Sequence, residues 1–389
     1  MRAGRQATTR ASSGLVAFAV LAGLLLAAAG AVIAPATPAA AAQGETVRLK
    51  VYNYFDATSP GAQRELDAIW AAFQRANPDI IIEREDMFGE PFHQKLEAYV
   101  AANQLPDVMY LWPGGRSSTL HTKRLIKDLR PFLGDEAQAF HEAALAPQAG
   151  GYLGVIPIGL TATHVLYVNK ALLDSMGLAI PTTYEELKAM VPALRAAGKD
   201  VILMGAQDDW VVQSTLFSMI VGRLAGDEFL AKVLAGEARF TDEPFLKALR
   251  FYKSLFDDGV LSRRIFQTAY NEVNGLFASG QAPFMVDGDW KVGNFLTDPT
   301  TGEALIPPER QHQIVMTVFP AIPGEINHGT SSTVVGAGYA MSAAIPAGSA
   351  KERAAWRLIH WLTSPEAQLV RLETGAAFPS RKGVTSDRL

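Results

Sequence analysis

The stretch Val108-Met109-Tyr110-Leu111-Trp112-Pro113-Gly114-Gly115 contains a short strand that is apolar on both faces and ends at a tryptophan beside glycines. Strands of this kind are typical of buried, mostly parallel sheets. The preceding residues have strand periodicity at 47–54, helical spacing of apolar residues at 61–77, a strand at 80–82 and a helix that buries Phe92. This β-α-β-α-β order predicts an α/β fold with a sheet flanked by helices.

Two further strands have the same kind of ending. The run Val201-Ile202-Leu203-Met204 continues to Asp208-Asp209-Trp210, and Phe284-Met285-Val286-Asp287 continues to Gly288-Asp289-Trp290. In open α/β sheets, ligands bind beyond the carboxyl ends of the strands. Indole faces beside carboxylates suit a ligand with weakly apolar faces and many hydroxyl groups, as in a sugar. We therefore predict a binding site in which tryptophans stack and carboxylates accept hydroxyl hydrogen bonds, with the candidates Asp56, Trp112, Asp209, Trp210, Asp287 and Trp290.

Packing of a loop onto the sheet is the alternative explanation for any one of these tryptophans. Trp70 lies on the apolar stripe of the 61–77 helix and is predicted to be core. Trp356 and Trp361 lie on a late helix and are predicted to belong to the core or to an interface. The three strand-end tryptophans differ from these because they stand among Gly, Asp or Pro.

Residues 1–42 have the features of a signal peptide. A basic start is followed by an uncharged segment, 15–34, and Ala40-Ala41-Ala42 forms a cleavage site. The uncharged run is also long enough for an uncleaved membrane anchor. The chain has no cysteine, which excludes disulfides and attachment of lipid through an N-terminal cysteine. We expect an exported protein, periplasmic or extracellular, that is not lipidated.

Composition limits the classes of function. The 389 residues are 49% hydrophobic and 19% charged, which is typical of a chain with large cores and enough length for two domains. The formal net charge is −4, so nucleic acid and anionic lipid are poor partners. We predict no nucleic-acid binding.

Sequence motifs for catalysis and cofactors are weak. The seven histidines show no metal-ligand spacing, there is no Gly-x-Ser-x-Gly motif, and the lone Gly336-Ala337-Gly338 is not a dinucleotide fingerprint. We predict no metal site, no cofactor and no catalytic residue. Asp287 and Asp289 have the spacing of a glycosidase carboxylate pair in an extended chain, but Gly288 between them is expected to turn the chain. A secreted glycoside hydrolase therefore stays an alternative.

Helix boundaries are indicated at two places. Thr182-Thr183-Tyr184-Glu185 has the pattern of a capping box that opens a helix. Pro192 lies within the pattern of that helix and is expected to kink or end it.

Several segments, taken in order, resemble a known family. They are Leu105-Pro106-Asp107-Val108, 151–157 with 166–170, 180–187, 277–285 with Gly288 and Trp290, 336–341 and 375–380. Their order and spacing resemble the extracellular solute-binding proteins of ABC importers, in the sugar-binding group related to maltose-binding protein. The resemblance covers essentially the whole mature region.

The resemblance implies a two-lobe periplasmic-binding-protein architecture of the class II type. Each lobe would be a mostly parallel sheet flanked by helices, and a hinge of two or three segments would join them. By analogy, the first lobe would contain 46–155 and 283–330. The second lobe would contain 156–282 and 331–389.

The resemblance also implies a function. The chain would be a non-catalytic, monomeric receptor that captures a mono- or oligosaccharide between its lobes and delivers it to the transmembrane subunits of an ABC permease. Arg381, directly after Pro379-Ser380, would reach the cleft. A non-sugar solute such as a glycerol-phosphodiester or a peptide is the alternative ligand.

Overall fold

A computed structural model describes residues 46–146, 151–335 and 337–387. The predicted signal peptide, 1–42, lies outside the described residues. Among those that are described, no helix combines the length and the apolar character needed to cross a membrane.

The described residues form short strands and helices in alternation. The strands are β1 (Val47–Tyr54), β2 (Ile80–Met87), β3 (Val108–Leu111), β4 (Ile156–Pro157), β5 (Leu160–Ala162), β6 (Val165–Asn169), β7 (Ile202–Leu203), β8 (Phe284–Asp287), β9 (Ile314–Thr317), β10 (Thr333–Val335) and β11 (Gly338–Met341). The α-helices are α1 (Ala62–Glu65), α2 (Ala72–Ala76), α3 (Glu90–Ala101), α4 (Ser118–Thr122), α5 (Arg130–Leu133), α6 (Lys170–Ser175), α7 (Tyr184–Ala189), α8 (Val191–Ala196), α9 (Asp209–Val211), α10 (Ser218–Ala225), α11 (Glu228–Leu234), α12 (Glu243–Asp257), α13 (Glu272–Ala278), α14 (Pro308–Gln311), α15 (Ala350–Leu362) and α16 (Pro365–Glu373).

One sheet, called here the first sheet, contains five strands in the order β2-β1-β3-β11-β4. β1 pairs in parallel with both β2 and β3, as the β-α-β-α-β order predicts. β11 returns from late in the chain and pairs antiparallel with β3 and β4. Helices α2, α3 and α15 supply Phe73, Phe92 and Leu358 to the core on this sheet, and all three are fully buried.

The second sheet contains four strands in the order β7-β8-β6-β9. β7 and β8 are parallel, whereas β6 pairs antiparallel with β8 and with β9. The apolar faces of β6 and β8 are covered by helices α7, α10 and α12, which bury Leu187, Ile220 and Leu255. The α/β class is confirmed, but both sheets are mixed and not mostly parallel, because late strands return antiparallel to early ones.

The chain passes between the two sheets through short extended segments. The outward crossing leads from β4 in the first sheet through β5 to β6 in the second, and the return leads from β9 through β10 to β11. β5 and β10 pair antiparallel, which joins the two crossings in a ladder of their own. The backbone of Phe378 also forms a bridge with Leu160 of β5.

The strand pairing corrects the predicted assignment of the later segments. Residues 283–330 were assigned to the first lobe, but β8 and β9 lie in the second sheet. Residues 331–389 were assigned to the second lobe, but β11 lies in the first sheet and α15 packs on its core. The reason is that the chain stays with the second sheet from β6 to β9 and returns only at β10.

The predicted helix boundaries and the predicted burial of the helical tryptophans are largely confirmed. The capping box is present, but it lies one residue later than predicted and consists of Thr183 and Glu186. Pro192 lies in the first turn of α8, and Met190 separates α7 from α8. Trp70 is buried in the core on the first sheet, and Trp356 and Trp361 are half-buried against that core, as expected.

Candidate functional site

Three aromatic side chains gather at the carboxyl ends of β7 and β8. Trp210 lies in α9, which follows β7, and Trp290 lies in a 3-10 helix, Asp289–Phe295, which follows β8. Tyr270 lies just before α13 in the chain and contacts both tryptophans. Its ring centroid is 5.1 Å from that of Trp210, and the two indole centroids are 5.9 Å apart. The Trp290 Nε1–H donates a hydrogen bond of 2.5 Å to the Tyr270 hydroxyl.

The indole of Trp290 lies against the backbone of Gly288. A Cβ placed on Gly288 would be 2.3 Å from Cη2 and Cζ3 of the ring. The backbone of Gly288 is extended, with φ −81° and ψ 172°, so this conformation would accept a side chain, and the ring of Trp290 is the nearest obstacle. The Gly288 carbonyl accepts a hydrogen bond of 2.7 Å from the hydroxyl of Tyr167 in β6, which anchors this segment on the second sheet.

A second aromatic group lies at the carboxyl ends of β1 and β3 in the first sheet. The ring of Tyr54 is 5.3 Å from Trp112, 5.7 Å from Tyr110 and 5.2 Å from Phe88. Trp112 is half-buried against this group. Asp56 follows two residues after Tyr54, and its Oδ1 accepts hydrogen bonds from the amide and hydroxyl of Thr58, which shape the turn.

Electrostatic effects connect the two aromatic groups. Burial raises the pKa of Tyr270 well above its ordinary value, and the charges of Asp287 and of Tyr54 in the first sheet add to the rise. Burial lowers the pKa of Lys291, while Asp287 and Asp56 oppose that shift. One contribution to each shift thus comes from the first sheet, from Tyr54 for Tyr270 and from Asp56 for Lys291.

Asp287 and Lys291 form a buried charge pair beside Trp290. Their side chains are 0% and 2% exposed, and the carboxylate Oδ2 is 4.0 Å from Nζ. Oδ1 of Asp287 accepts a hydrogen bond of 2.8 Å from the Gly288 amide, but Oδ2 has no hydrogen-bond partner among the described residues. Burial raises the pKa of Asp287 to about 6, although Lys291 counteracts the shift.

The predicted site residues do not all have the predicted environment. Trp210 and Trp290 are in direct contact, and Trp112 and Asp56 lie in the group on the first sheet. Asp209 is exposed at the start of α9. Asp287 was predicted to accept hydroxyl hydrogen bonds, but its full burial and its pairing with Lys291 give it a different environment.

Arg381 lies away from these aromatic groups, which contradicts its predicted position. It is 4% exposed, and its Nε donates to the carbonyl of Thr363. Its guanidinium also donates to Glu136 and lies 4.2 Å from the ring centroid of Phe140. Its donors therefore face α15 and the segment after α5, where they brace the C-terminal tail.

We expect Arg381→Met to lower stability without changing ligand affinity. The substitution removes one donor each from Glu136 and the Thr363 carbonyl, which keep His360 and Gln368 as partners. We expect a cost of about 1 to 2 kcal/mol, since Glu136 is also partly exposed. Urea denaturation measures the free energy of unfolding, and calorimetric titration measures the dissociation constant. Weaker ligand binding at unchanged stability would show that Arg381 takes part in binding and would contradict this prediction.

Asp289 is a second buried carboxyl group, and it is 3% exposed. Its Oδ2 accepts a hydrogen bond of 2.9 Å from the amide of Ala162 in β5, so it ties the 3-10 helix to the crossing segment. Burial raises its pKa from 3.8 to about 7. Between these two pKa values, the Asp289 carboxyl group therefore keeps its proton in the native state and releases it in the unfolded chain.

The raised pKa of Asp289 predicts a pH-dependent stability. Its contribution is complete below the unfolded pKa and is lost as the pH rises through the native value. Asp289→Asn cannot ionise, so the variant should gain stability relative to the natural protein as the pH rises from about 4 to about 8, by up to about 4 kcal/mol. Urea denaturation across this range measures the difference. A constant difference at every pH would contradict the prediction.

Sequence reasoning missed several residues of this region. Tyr54 ends β1 just as Trp112 follows β3, so its place at a strand end was a usable signal. Lys291 directly follows Trp290, so its place beside a strand-end tryptophan was also a usable signal. Tyr270 follows no strand, so its sequence position carries no comparable signal. Among the described residues, no cluster of His, Asp or Glu has the arrangement of a metal site.

Comparison with known proteins identifies the family. The chain belongs to the bacterial extracellular solute-binding protein family, whose model matches residues 68–388. A binding protein of Brucella abortus is 26% identical over 252 residues, which are 64% of this chain and 59% of that protein. A sugar-binding periplasmic protein of Mesorhizobium japonicum is 27% identical over 144 residues, which are 36% of this chain and 33% of that protein. The match thus spans less than two thirds of either relative.

The fold is that of solved solute-binding proteins. A structure from a study of xylan utilization by the thermophilic bacterium Caldanaerobius polysaccharolyticus is similar with a TM-score of 0.77 and 22% identity. The similarity covers 88% of this chain and 84% of the other. At this identity the likeness concerns the fold, and it agrees with the predicted periplasmic-binding-protein architecture.

Proposed function

We propose that this chain is the receptor of an ABC importer and that it captures a mono- or oligosaccharide outside the cytoplasm. The observation that carries the proposal is a group of indole and phenol rings at the strand ends of each sheet, with Asp56 close in sequence to one group and Asp209 next to Trp210 of the other. Stacking on aromatic faces suits the apolar faces of pyranose rings, and carboxylates accept hydrogen bonds from hydroxyl groups. The names of relatives that refer to sugar binding and to xylan utilization support the same class of ligand.

The mechanism that we propose is closure of the two sheets and their helices around the ligand. A sugar that contacts Trp290 on one side and Trp112 on the other favours the closed state by the difference of its affinities for the two states. The crossing segments around β5 and β10 would act as the hinge. The closed monomer would then dock on the transmembrane subunits of a permease.

Burial of the carboxyl pair favours a receptor over a glycoside hydrolase. Asp287 and Asp289 are 0% and 3% exposed, and the amides of Gly288 and Ala162 occupy one oxygen of each. A general acid must reach the glycosidic oxygen within hydrogen-bonding distance. Groups buried to this degree serve the structure of the segment around Trp290.

The charge of the region favours a neutral solute over a glycerol-phosphodiester. Lys291 is the cation nearest to Trp290 along the chain, and Asp287 lies 4.0 Å from it. A phosphodiester site would require cationic groups whose charge is not already compensated. A sugar requires none.

A ligand panel with two readouts tests the proposal. The purified protein would be incubated with mono- and oligosaccharides, a glycerol-phosphodiester and a peptide mixture, while thermal stability and product formation are followed. We expect one group of sugars to raise the melting temperature, because a ligand at about 100 times its Kd adds about 2.7 kcal/mol of stability. Sugar cleavage would establish the hydrolase instead, and a shift with only the phosphodiester or the peptides would replace the sugar as ligand.

A further inference from the structure

The ammonium group of Lys291 lies over the face of Tyr270. Nζ is 3.5 Å from the ring centroid, and the side chain is 2% exposed. Its hydrogen bonds are long, 3.3 Å to the Tyr270 carbonyl and 3.5 Å to Oδ1 of Asn271. The ammonium therefore combines a close contact with the ring face and two long hydrogen bonds.

Packing alone does not account for a lysine at this position. Burial removes water from the ammonium group, and an unbranched apolar side chain of the same length would fill the space without that penalty. Asp287 supplies the compensating charge at 4.0 Å, beyond hydrogen-bonding distance, and its Oδ2 has no hydrogen-bond partner among the described residues. A charge pair with such long contacts indicates a role for the cation other than a strong ion pair.

Tyr270 connects Lys291 with both indoles of the second sheet. Its hydroxyl accepts the hydrogen bond of Trp290 Nε1–H, and its ring is 5.1 Å from Trp210. A cation over an aromatic face is attracted by the ring quadrupole, more strongly when water is excluded. If the ammonium holds the Tyr270 ring in one orientation, it also fixes the hydroxyl that binds Trp290 and the ring face that packs against Trp210.

We propose that Lys291 is a positioning residue for ligand binding. Its ammonium orients Tyr270, and Tyr270 in turn orients Trp290 and Trp210 for stacking on a sugar. The effect of Lys291 on sugar affinity rests on the proposed function. Its effect on the orientation of the three aromatic rings does not, because the rings have this arrangement in the protein without ligand.

The test is Lys291→Met, which keeps an unbranched stem and removes the charge. The first readout is the near-ultraviolet circular dichroism of the free protein, in which the contribution of the Trp210–Trp290 pair is defined as the part that Trp210→Phe removes. We expect Lys291→Met to lose most of this contribution. Sugar affinity should weaken roughly tenfold. Lys291→Arg keeps a cation over the ring and should therefore retain most of the dichroism of the tryptophan pair and most of the affinity.

Lys127→Met is the matched control. Lys127 has a side chain that is 14% exposed and paired with Glu352, near the first sheet and away from the aromatic group of the second. Its substitution should reduce stability but leave the dichroism of the tryptophan pair and the dissociation constant unchanged.

A second variant covers the case in which Lys291→Met does not fold because Asp287 is left buried and unpaired. Asp287→Asn combined with Lys291→Met removes both charges and should lose the same dichroism. Retention of that signal without the lysine would overturn the proposal, as would equal loss in Lys291→Met and Lys291→Arg. If no variant, nor the natural protein, binds any sugar, the proposed function fails, while the dichroism of the free protein still decides the role of Lys291.

Discussion

Trp290→Ala is expected to weaken sugar binding roughly thirtyfold or more while the protein stays folded. The indole contacts Gly288, Tyr270 and Trp210, and it is half-buried beyond the carboxyl end of β8, which leaves part of its surface for a ligand. Removal of a central tryptophan from a binding site typically costs about 2 kcal/mol or more, which is roughly thirtyfold in the dissociation constant. Calorimetric titration with the sugar identified by the ligand panel measures the change.

Trp356→Ala is the control for this substitution. Trp356 is also half-buried, but it lies in α15 with its ring 5.5 Å from that of Phe132, away from the strand ends that carry Trp290. Its removal should reduce the free energy of unfolding and leave the dissociation constant unchanged. If Trp290→Ala binds as tightly as the natural protein, Trp290 does not belong to the site.

Gly288→Ala is expected to impair binding through Trp290, although the new side chain is only a methyl group. The methyl carbon would lie 2.3 Å from two indole carbons, whereas nonbonded carbons approach to about 3.5 Å or more. The indole must therefore swing away and lose its hydrogen bond with Tyr270. We expect at least a tenfold weaker affinity and a loss of stability of about 1 to 3 kcal/mol, as for other overpacked sites.

Two comparisons isolate this mechanism. Gly275→Ala, within α13, adds the same methyl group where nothing lies within 4 Å, and it should raise stability because alanine favours the helix by about 1 kcal/mol. In the Trp290→Ala background, Gly288→Ala should cost no further affinity because the clashing ring is gone. Equal losses from Gly288→Ala with and without the indole would show that the backbone, not the ring, is responsible.

Part of the site was predictable because strand-end position is a local signal. Trp112 directly follows β3, Trp290 follows β8 after two residues, and Trp210 follows β7 after a short loop. All three belong to the aromatic groups of the structure. Alternation of strands and helices likewise predicted the parallel pairing of β1 with β2 and β3. Periodicity reports which faces are apolar, and this is sufficient for the fold class.

The rest was not predictable because it depends on contacts between distant segments. The assignment of residues 283–389 to the two sheets failed because an apolar strand carries no mark of the sheet that it joins. Arg381 follows a family motif, yet its donors are taken by Glu136 and Thr363, far away along the chain. Burial of Asp287 depends on Lys291 and on the neighbouring strands, so a carboxylate that is accessible by its local sequence becomes a buried one.

Local patterns of apolar, glycine and aromatic residues were thus enough to establish an α/β protein with tryptophans at its strand ends. Only the tertiary structure decided which strands share a sheet, which side chains adjoin the same region and how the ammonium of Lys291 meets the ring of Tyr270. The physical reason is the range of the interactions. Periodicity and strand endings depend on a few neighbouring residues, whereas burial and ring contacts depend on segments that are distant in the chain.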